Sequence, residues 1–75
     1  MHYPSFRQLQ FFIALAEYRH FGRASRACHV SQAAFSLAIK ALEERLDLPL
    51  VERGYKKVLL TPEGEEVLKQ ARRCH

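Results

Sequence analysis

Three helix-starting signals divide this chain of 75 residues into short helical segments. Ser5 stands three residues before Gln8, which is the spacing of a capping box at a helix N-terminus. Ser31 is a strong N-cap residue, and Thr61 before Pro62 combines a capping hydroxyl with a residue suited to the first helical position. A chain of this length can build one small core, so the signals indicate a single domain of short helices.

Apolar residues at helical spacing follow these signals. They predict α1 at about residues 5–19, a short α2 at about 23–28 with Gly22 as its N-cap, α3 at about 31–46, and α4 from 62 onwards. No stop signal follows α4, which is typical of a helix cut from a longer one. The side chains predicted to face inward are Phe6, Leu9, Phe12, Ile13 and Ala16 in α1, Ala24, Ala27 and Cys28 in α2, Phe35, Ile39, Leu42 and Leu46 in α3, and Val67, Leu68 and Ala71 in α4.

The period of the pattern changes between α3 and α4. Two short apolar runs, 50–51 and 58–60, flank a basic link in which Gly54 suits the first position of a type II′ turn. This pattern predicts a β-hairpin. Because α2 and α3 are joined by a tight turn at residues 29–30, the predicted fold is mainly α: a winged helix-turn-helix, with a three-helix core and a β-hairpin wing.

Charge is distributed unevenly along the chain, whose net charge is +4. Residues 1–40 carry five basic side chains and one acidic side chain. Residues 41–52 carry one basic and four acidic side chains, and residues 53–60 carry three basic side chains and no acidic one. Two positive segments around a negative one suit a domain with one DNA-facing side, and an ordinary solvated surface is the alternative.

The outer face of α3 has the residue types that a DNA-reading helix needs. Removing the buried positions leaves Gln32, Ala33, Ser36, Leu37, Lys40 and Glu44. Gln32 can pair with adenine, Ser36 can donate or accept, and Lys40 can reach guanine or phosphate. Ala33 can touch a thymine methyl, and Leu37 can do the same or belong to a protein contact. An amphipathic helix with a polar back is the alternative for the whole face.

Six segments together resemble one known domain, the N-terminal DNA-binding domain of the LysR-type transcriptional regulators, over about residues 6–73. They are Phe6-Arg7-Gln8-Leu9-Gln10-Phe11-Phe12, Phe21-Gly22-Arg23-Ala24-Ser25, His29-Val30-Ser31-Gln32, Leu42-Glu43-Glu44-Arg45-Leu46, Pro49-Leu50-Val51-Glu52-Arg53 and Leu60-Thr61-Pro62-Glu63-Gly64. The resemblance implies a winged helix-turn-helix at residues 1–61 and, at 62–75, the start of a linker helix that pairs two subunits. The family's C-terminal effector-binding domain is absent from this chain.

The resemblance also implies how such a chain works. The family acts in the bacterial cytoplasm, mostly as tetramers on dyad-symmetric duplex DNA, and activates or represses genes in response to a small molecule. Its DNA-binding domain needs no cofactor, and the effector binds only the C-terminal domain. A homodimer through α4 is therefore expected here, and a terminal helix packed on its own domain is the alternative.

The pattern and the resemblance together predict the site residues. Base contacts are expected from Gln32, Ala33, Ser36, Leu37 and Lys40, backbone and wing contacts from Arg23, Ser31, Arg53, Lys56 and Lys57, and dimer contacts from Val67, Leu68 and Ala71. Four positions depart from the family's usual residues: Gly22 replaces threonine or serine, Ala33 proline or serine, Leu37 arginine, and Val51 phenylalanine. Base preference is therefore not expected to follow that of any relative.

Other functions have weaker support in the sequence. A winged helix used for protein contact is the main alternative, and it is motivated by Leu37 and by the lack of a stop signal after α4. An enzyme lacks support because the chain has no phosphate-binding glycine loop, no Gly-x-Ser-x-Gly and no His-Glu-x-x-His. The pairs Glu43-Glu44 and Glu65-Glu66 are interpreted as solvated faces.

The two cysteines each precede a histidine, in Cys28-His29 and Cys74-His75. Four such ligands can hold zinc in other proteins, but adjacent ligands lack the loop that wraps the ion. Cys28 is therefore interpreted as a small core residue, and no metal is expected. Two cysteines are also too few for a disulfide-stapled secreted scaffold.

Overall fold

Four helices make up most of the computed structural model, which describes residues 5–52 and 58–73. They are α1 (Phe6–Tyr18), α2 (Phe21–Ala27), α3 (Gln32–Leu46) and α4 (Pro62–Arg73). The predicted mainly helical fold class is confirmed. In the described ranges, no helix is long and apolar enough to cross a membrane.

Side-chain caps start α1 and α3 where the sequence predicts them. The Oγ of Ser5 accepts the backbone N–H of Gln8 at 3.0 Å, and the Gln8 Oε1 accepts the backbone N–H of Ser5 at 3.3 Å. The Oγ of Ser31 accepts the N–H of Ala34 at 3.1 Å. Both predicted N-caps are confirmed. They could be predicted because each cap depends only on residues close together in the sequence.

The start of α2 differs from the prediction. Its N-cap is His20, whose Nδ1 accepts the backbone N–H of Arg23 at 3.0 Å, and Gly22 lies inside the first turn. The predicted cap at Gly22 was wrong because an unprotonated ring nitrogen of histidine can also accept a hydrogen bond, although Ser, Thr, Asp and Asn are the usual caps. As a result, α2 begins at Phe21, two residues earlier than predicted.

One hydrophobic core joins the four helices to the segment after α3. Its largest fully buried side chains are Phe12, Phe35, Leu15, Ile39, Leu42 and Leu50. Phe6 was predicted to face inward but is 63% exposed, while Phe11 is buried and stacks on Phe35 with ring centroids 5.2 Å apart. The buried face of α1 therefore includes Phe11 and excludes Phe6, so it is rotated about the helix axis relative to the predicted face. Ala27 was also predicted to be buried but is exposed. The short α2 buries Ala24 and Ser25 instead, and Ala27 lies outside this buried face.

The chain folds back antiparallel between α3 and α4. Val51 and Leu60 form an isolated antiparallel bridge, and the N–H of Glu52 donates to the carbonyl of Leu59 at 2.8 Å. The described residues contain no longer strand here. The predicted turn falls at residues 53–57, outside the described part of the chain, so the β-hairpin wing stays a prediction.

Thr61 and Gly64 hold the start of α4 against the segment that follows α3. The Oγ1 of Thr61 donates to the carbonyl of Pro49 at 2.6 Å and accepts the N–H of Gly64 at 2.9 Å. The N–H of Thr61 donates to the carbonyl of Leu50 at 3.1 Å. A Cβ on Gly64 would lie well under 3.0 Å from that carbonyl oxygen. We call these four residues the α4 clasp.

The Glu43 carboxylate also holds this segment. Its Oε2 accepts the backbone N–H groups of Leu50 at 2.7 Å and Val51 at 3.2 Å. The interpretation of Glu43 as part of a solvated face was wrong, because the chain folds back over the end of α3 and brings two donors to it. The neighbouring Glu44 is exposed, as expected.

Replacing Glu43 by alanine is expected to lower the free energy of unfolding by about 1–3 kcal/mol. The change leaves two backbone donors without their acceptor in a partly buried place. Urea unfolding followed by circular dichroism measures the loss. Glu44→Ala is the matched control, and its expected change is within about 0.5 kcal/mol. Equal losses in the two variants would contradict the structural role of Glu43.

Candidate nucleic-acid interface

A tight turn between α2 and α3 sets their relative direction. His29 lies in the left-handed region with φ 61°, which is uncommon for a residue other than glycine. The turn is closed by backbone hydrogen bonds of 3.1 Å from His29 to the carbonyl of Arg26 and from Val30 to the carbonyl of Ser25. The predicted turn at 29–30 is confirmed, and α2 and α3 form a helix-turn-helix.

Aromatic contacts fix which face of α3 points inward. Phe35 has no exposed surface, and its ring stacks on Phe11 and meets Phe21 edge-on at 6.0 Å. Ile39 and Leu42 are buried on the same side of the helix. With this face held in the core, the opposite face of α3 must point to solvent.

The five residues predicted to contact bases lie together on that outward face. All are exposed, and three of them, Gln32, Ser36 and Lys40, follow one another at spacings of four residues, which forms one stripe along a helix. We call this set the α3 stripe: Gln32, Ala33, Ser36, Leu37 and Lys40. The structure supports the predicted exposure of the stripe, while its contact with bases stays a prediction.

The first turns of α2 and α3 lie side by side. The Oε1 of Gln32 lies 3.4 Å from the point where a Cβ on Gly22 would be. Gly22 in α2 therefore lies next to the Gln32 amide at the start of the α3 stripe. Arg23 follows Gly22 and is exposed, so a cation and an amide stand at neighbouring helix starts.

Two of the predicted backbone-contact residues lie in the described part of the chain. Arg23 and Ser31 are both exposed. The backbone N–H of Arg23 is already bound by His20, so any phosphate contact of this residue depends on its guanidinium. The Ser31 oxygen caps α3, and its hydroxyl hydrogen can still be donated. Arg53, Lys56 and Lys57 lie outside the described residues.

The residues predicted to form a dimer interface do not make an open apolar face. Leu68 and Ala71 are only 6% and 5% exposed in the single chain. Leu68 belongs to the common core, and Val67 is half-buried against it. Packing of α4 against its own domain accounts for the burial of these side chains. The dimer stays a prediction, and a second copy would have to contact mainly other, exposed residues of α4.

A surface depression of about 610 Å³ between α1 and the end of α2 contains Cys28. Burial raises the pKa of the Cys28 thiol above its usual value, and the nearby Arg7 guanidinium partly offsets this effect. The Arg7 guanidinium also lies over the Phe11 ring, 5.4 Å from its centroid. Cys28 is half-buried and packs against the core, in agreement with its interpretation as a small core residue.

The described residues contain no group of three or more histidine, cysteine or acidic side chains that could hold a metal ion. Cys74 and His75, the second half of the possible ligand set, lie outside the described part of the chain.

Comparison with known proteins identifies the family. Residues 6–65 match the family described as bacterial regulatory helix-turn-helix protein, lysR family. The chain is 48% identical over 66 residues to a hydrogen peroxide-inducible genes activator from Pectobacterium carotovorum subsp. carotovorum. It is 51% identical over 67 residues to an SDS degradation transcriptional activation protein from a Pseudomonas species. These matches cover 88% and 89% of this chain but 22% of each relative, so the chain spans about a fifth of their length.

Solved structures show the same fold. The BenM DNA-binding domain in complex with benA site 1 DNA matches with a TM-score of 0.90 and 34% identity, over 93% of this chain and 79% of that one. A full-length OxyR variant from Pseudomonas aeruginosa matches with a TM-score of 0.90 and 39% identity, over 99% of this chain and 24% of that one. The helix-turn-helix, the family match over most of the sequence and these structures agree, and the chain therefore belongs to the lysR family of bacterial regulatory helix-turn-helix proteins.

Proposed function

We propose that this chain is the sequence-specific, double-stranded DNA-binding domain of a LysR-type bacterial transcriptional regulator. In this proposal α3 enters the major groove, and the predicted wing contacts the backbone or the minor groove beside it. The observation that carries the proposal is the α3 stripe, which is exposed opposite the buried Phe35. Its amide, hydroxyl and amino groups are those that read base edges.

The residues of the α3 stripe have different roles in the proposed complex. Gln32, in the first turn of α3, pairs with an adenine through its amide, which can donate and accept at once. Ser36, one turn further, donates to or accepts from a base edge. Lys40 reaches guanine or a phosphate at the far end of the stripe. These contacts specify the sequence, whereas contacts to phosphate only position the domain.

The proposed phosphate contacts come from the starts of α2 and α3 and from the predicted wing. Arg23 and Ser31 lie at the starts of α2 and α3, and both are exposed. Arg53, Lys56 and Lys57 supply the positive charge of the predicted wing. Such contacts release counterions from DNA, so affinity falls steeply as salt rises.

The full regulator is proposed to bind DNA as a symmetric assembly. Two copies pair through α4 and place their α3 helices on the two halves of a dyad-symmetric site, and two such dimers form a tetramer. The C-terminal domain, which responds to a small molecule, lies beyond this chain. Two features support this wider proposal: the family match, and the names of relatives that act on gene expression. Its DNA lies in the bacterial cytoplasm, where the regulator is proposed to act.

Selection of binding sites from a randomised duplex pool tests the proposal directly. The expected product is an inverted repeat whose half-sites lie about one helical turn apart. Binding to that site is expected to weaken steeply between low and physiological salt. If no sequence is enriched and no salt-dependent binding occurs even at low salt, the proposal is wrong.

Replacing Gln32 by alanine is expected to weaken binding to the selected site by about 1–3 kcal/mol and to relax one base position. The reason is the loss of a two-bond contact with one base pair. Titration of the wild type and the variant on every single-base variant of the site measures both effects.

Arg23→Ala is the matched control because it removes a side chain from the neighbouring helix start. It is expected to weaken binding to all sequences alike and to lower the slope of log affinity against log salt by about 1. Two variants that behave identically on specific and random DNA would contradict this division of roles.

A further inference from the structure

Leu37 is a large apolar side chain in the middle of the α3 stripe. It is 68% exposed, more than any other of the exposed large hydrophobic residues in the described ranges. Among the described residues, the hydrophobic core neither contains Leu37 nor packs against it.

The surroundings of Leu37 restrict what can cover it. Ser36 precedes it and Lys40 follows it at helical spacing, so the leucine is an apolar group within a polar and basic surface. Ala33 lies one turn before it on the same face, about 6 Å along the helix axis. Two apolar residues in line, surrounded by donors and a cation, fit a partner that is anionic overall and has small apolar groups on its surface.

The major groove of DNA offers one such apolar group, the 5-methyl group of thymine. The other base edges there present hydrogen-bond donors and acceptors. A leucine placed against them removes water without replacing the lost hydrogen bonds, which is unfavourable. An apolar side chain in the stripe therefore favours binding at thymine for two reasons. It gains contact with the methyl group, and its binding free energy is less favourable opposite any other base.

We infer that Leu37, with Ala33 beside it, reads the 5-methyl group of a thymine in each half-site. This inference rests on the proposed function and adds a base preference to it. The Leu37 side chain has no hydrogen-bonding group, so the preference depends on the methyl group itself rather than on the donors and acceptors of the A·T pair. The occupant of this apolar surface is thus duplex DNA and not a second protein.

Deoxyuridine provides the test, because it removes the methyl group of thymine and leaves its hydrogen-bonding groups unchanged. Each thymine of the selected site is replaced in turn, and the Kd of the protein is measured at fixed salt. We expect one position per half-site at which deoxyuridine raises the Kd of the wild type by about 4-fold, the effect of one buried methyl group. The same deoxyuridine is expected to raise the Kd of Leu37→Ala clearly less than that of the wild type, because only Ala33 is left to contact the methyl group.

Leu48→Ala is the matched control, since it shortens another exposed leucine outside the α3 stripe. It is expected to bind like the wild type and to keep the full response to deoxyuridine. Circular dichroism checks that all variants are folded, which is expected because Leu37 lies outside the core.

Two outcomes would overturn the inference while leaving the proposed function intact. One is sequence-specific, salt-dependent binding that responds to deoxyuridine at no position. The other is a Leu37→Ala variant that responds to deoxyuridine as strongly as the wild type. Absence of any salt-dependent duplex binding would instead overturn both the inference and the proposed function.

Discussion

Phe35→Ala is expected to lower the free energy of unfolding by about 3–5 kcal/mol. Phe35 is fully buried and contacts the rings of Phe11 and Phe21, so alanine leaves a cavity where helices α1, α2 and α3 meet. A chain of this length has a total stability of about 4–11 kcal/mol. The variant should therefore unfold at much lower urea concentration, and its DNA binding should fall with its folded fraction.

Ser36→Ala is the control for this change. It alters the next residue of the same helix, which is exposed, and its effect on stability is expected to stay within about 0.5 kcal/mol. If Ser36 contacts a base, the variant binds DNA less tightly while remaining folded. A loss of stability below about 1 kcal/mol in Phe35→Ala would contradict the central position of that ring in the core.

Gly64→Ala is expected to lower the free energy of unfolding by about 1–3 kcal/mol, the usual cost of inserting atoms into a filled space. The new Cβ would overlap the carbonyl oxygen of Leu50, and the oxygen has little freedom to move away. It accepts the N–H of Thr61, and the Leu50 side chain is fully buried. Relief of the overlap must therefore displace α4 and disturb the α4 clasp. Urea unfolding measures the loss.

Gly22→Ala is the matched control, because it adds the same methyl group to another helical glycine. Its Cβ would lie 3.1 Å from the His20 ring and 3.4 Å from the Gln32 amide oxygen, so it meets side chains at longer distances than a Cβ on Gly64 meets the Leu50 carbonyl oxygen. Alanine also favours the helix by about 1 kcal/mol over glycine, which offsets the crowding. Similar losses of stability in the two variants would contradict the tight contact at Gly64.

Local signals explain how much of the fold was predictable. Ser5, Ser31 and Thr61 cap helices through hydrogen bonds to residues three positions away, so the sequence contains all the information that each cap needs. Features that depend on distant parts of the chain were missed. The two bonds of Glu43 join residues seven and eight positions apart, and the rotation of α1 depends on how Phe11 meets Phe35.

The candidate site shows the same division. The exposure of the α3 stripe follows from the helical period and was predicted. The environment of Leu68 was left open between a dimer interface and packing on the same chain, because an apolar helix face does not identify the surface that covers it. Here the covering surface is the core of the same chain. The wing residues Arg53, Lys56 and Lys57 lie outside the described part, so their role stays a prediction.

The α4 clasp has a mechanical consequence. Because the first turn of α4 is bonded to the Pro49–Leu50 backbone and Leu68 enters the core, the described part of the chain has no hinge between α4 and the helix-turn-helix. In a dimer joined through α4, each α3 would change its orientation together with its own α4, as one rigid unit. A site with the wrong distance between its halves would then be accommodated mainly by bending or twisting the DNA, since the α4 clasp and the packing of Leu68 resist bending of the protein there.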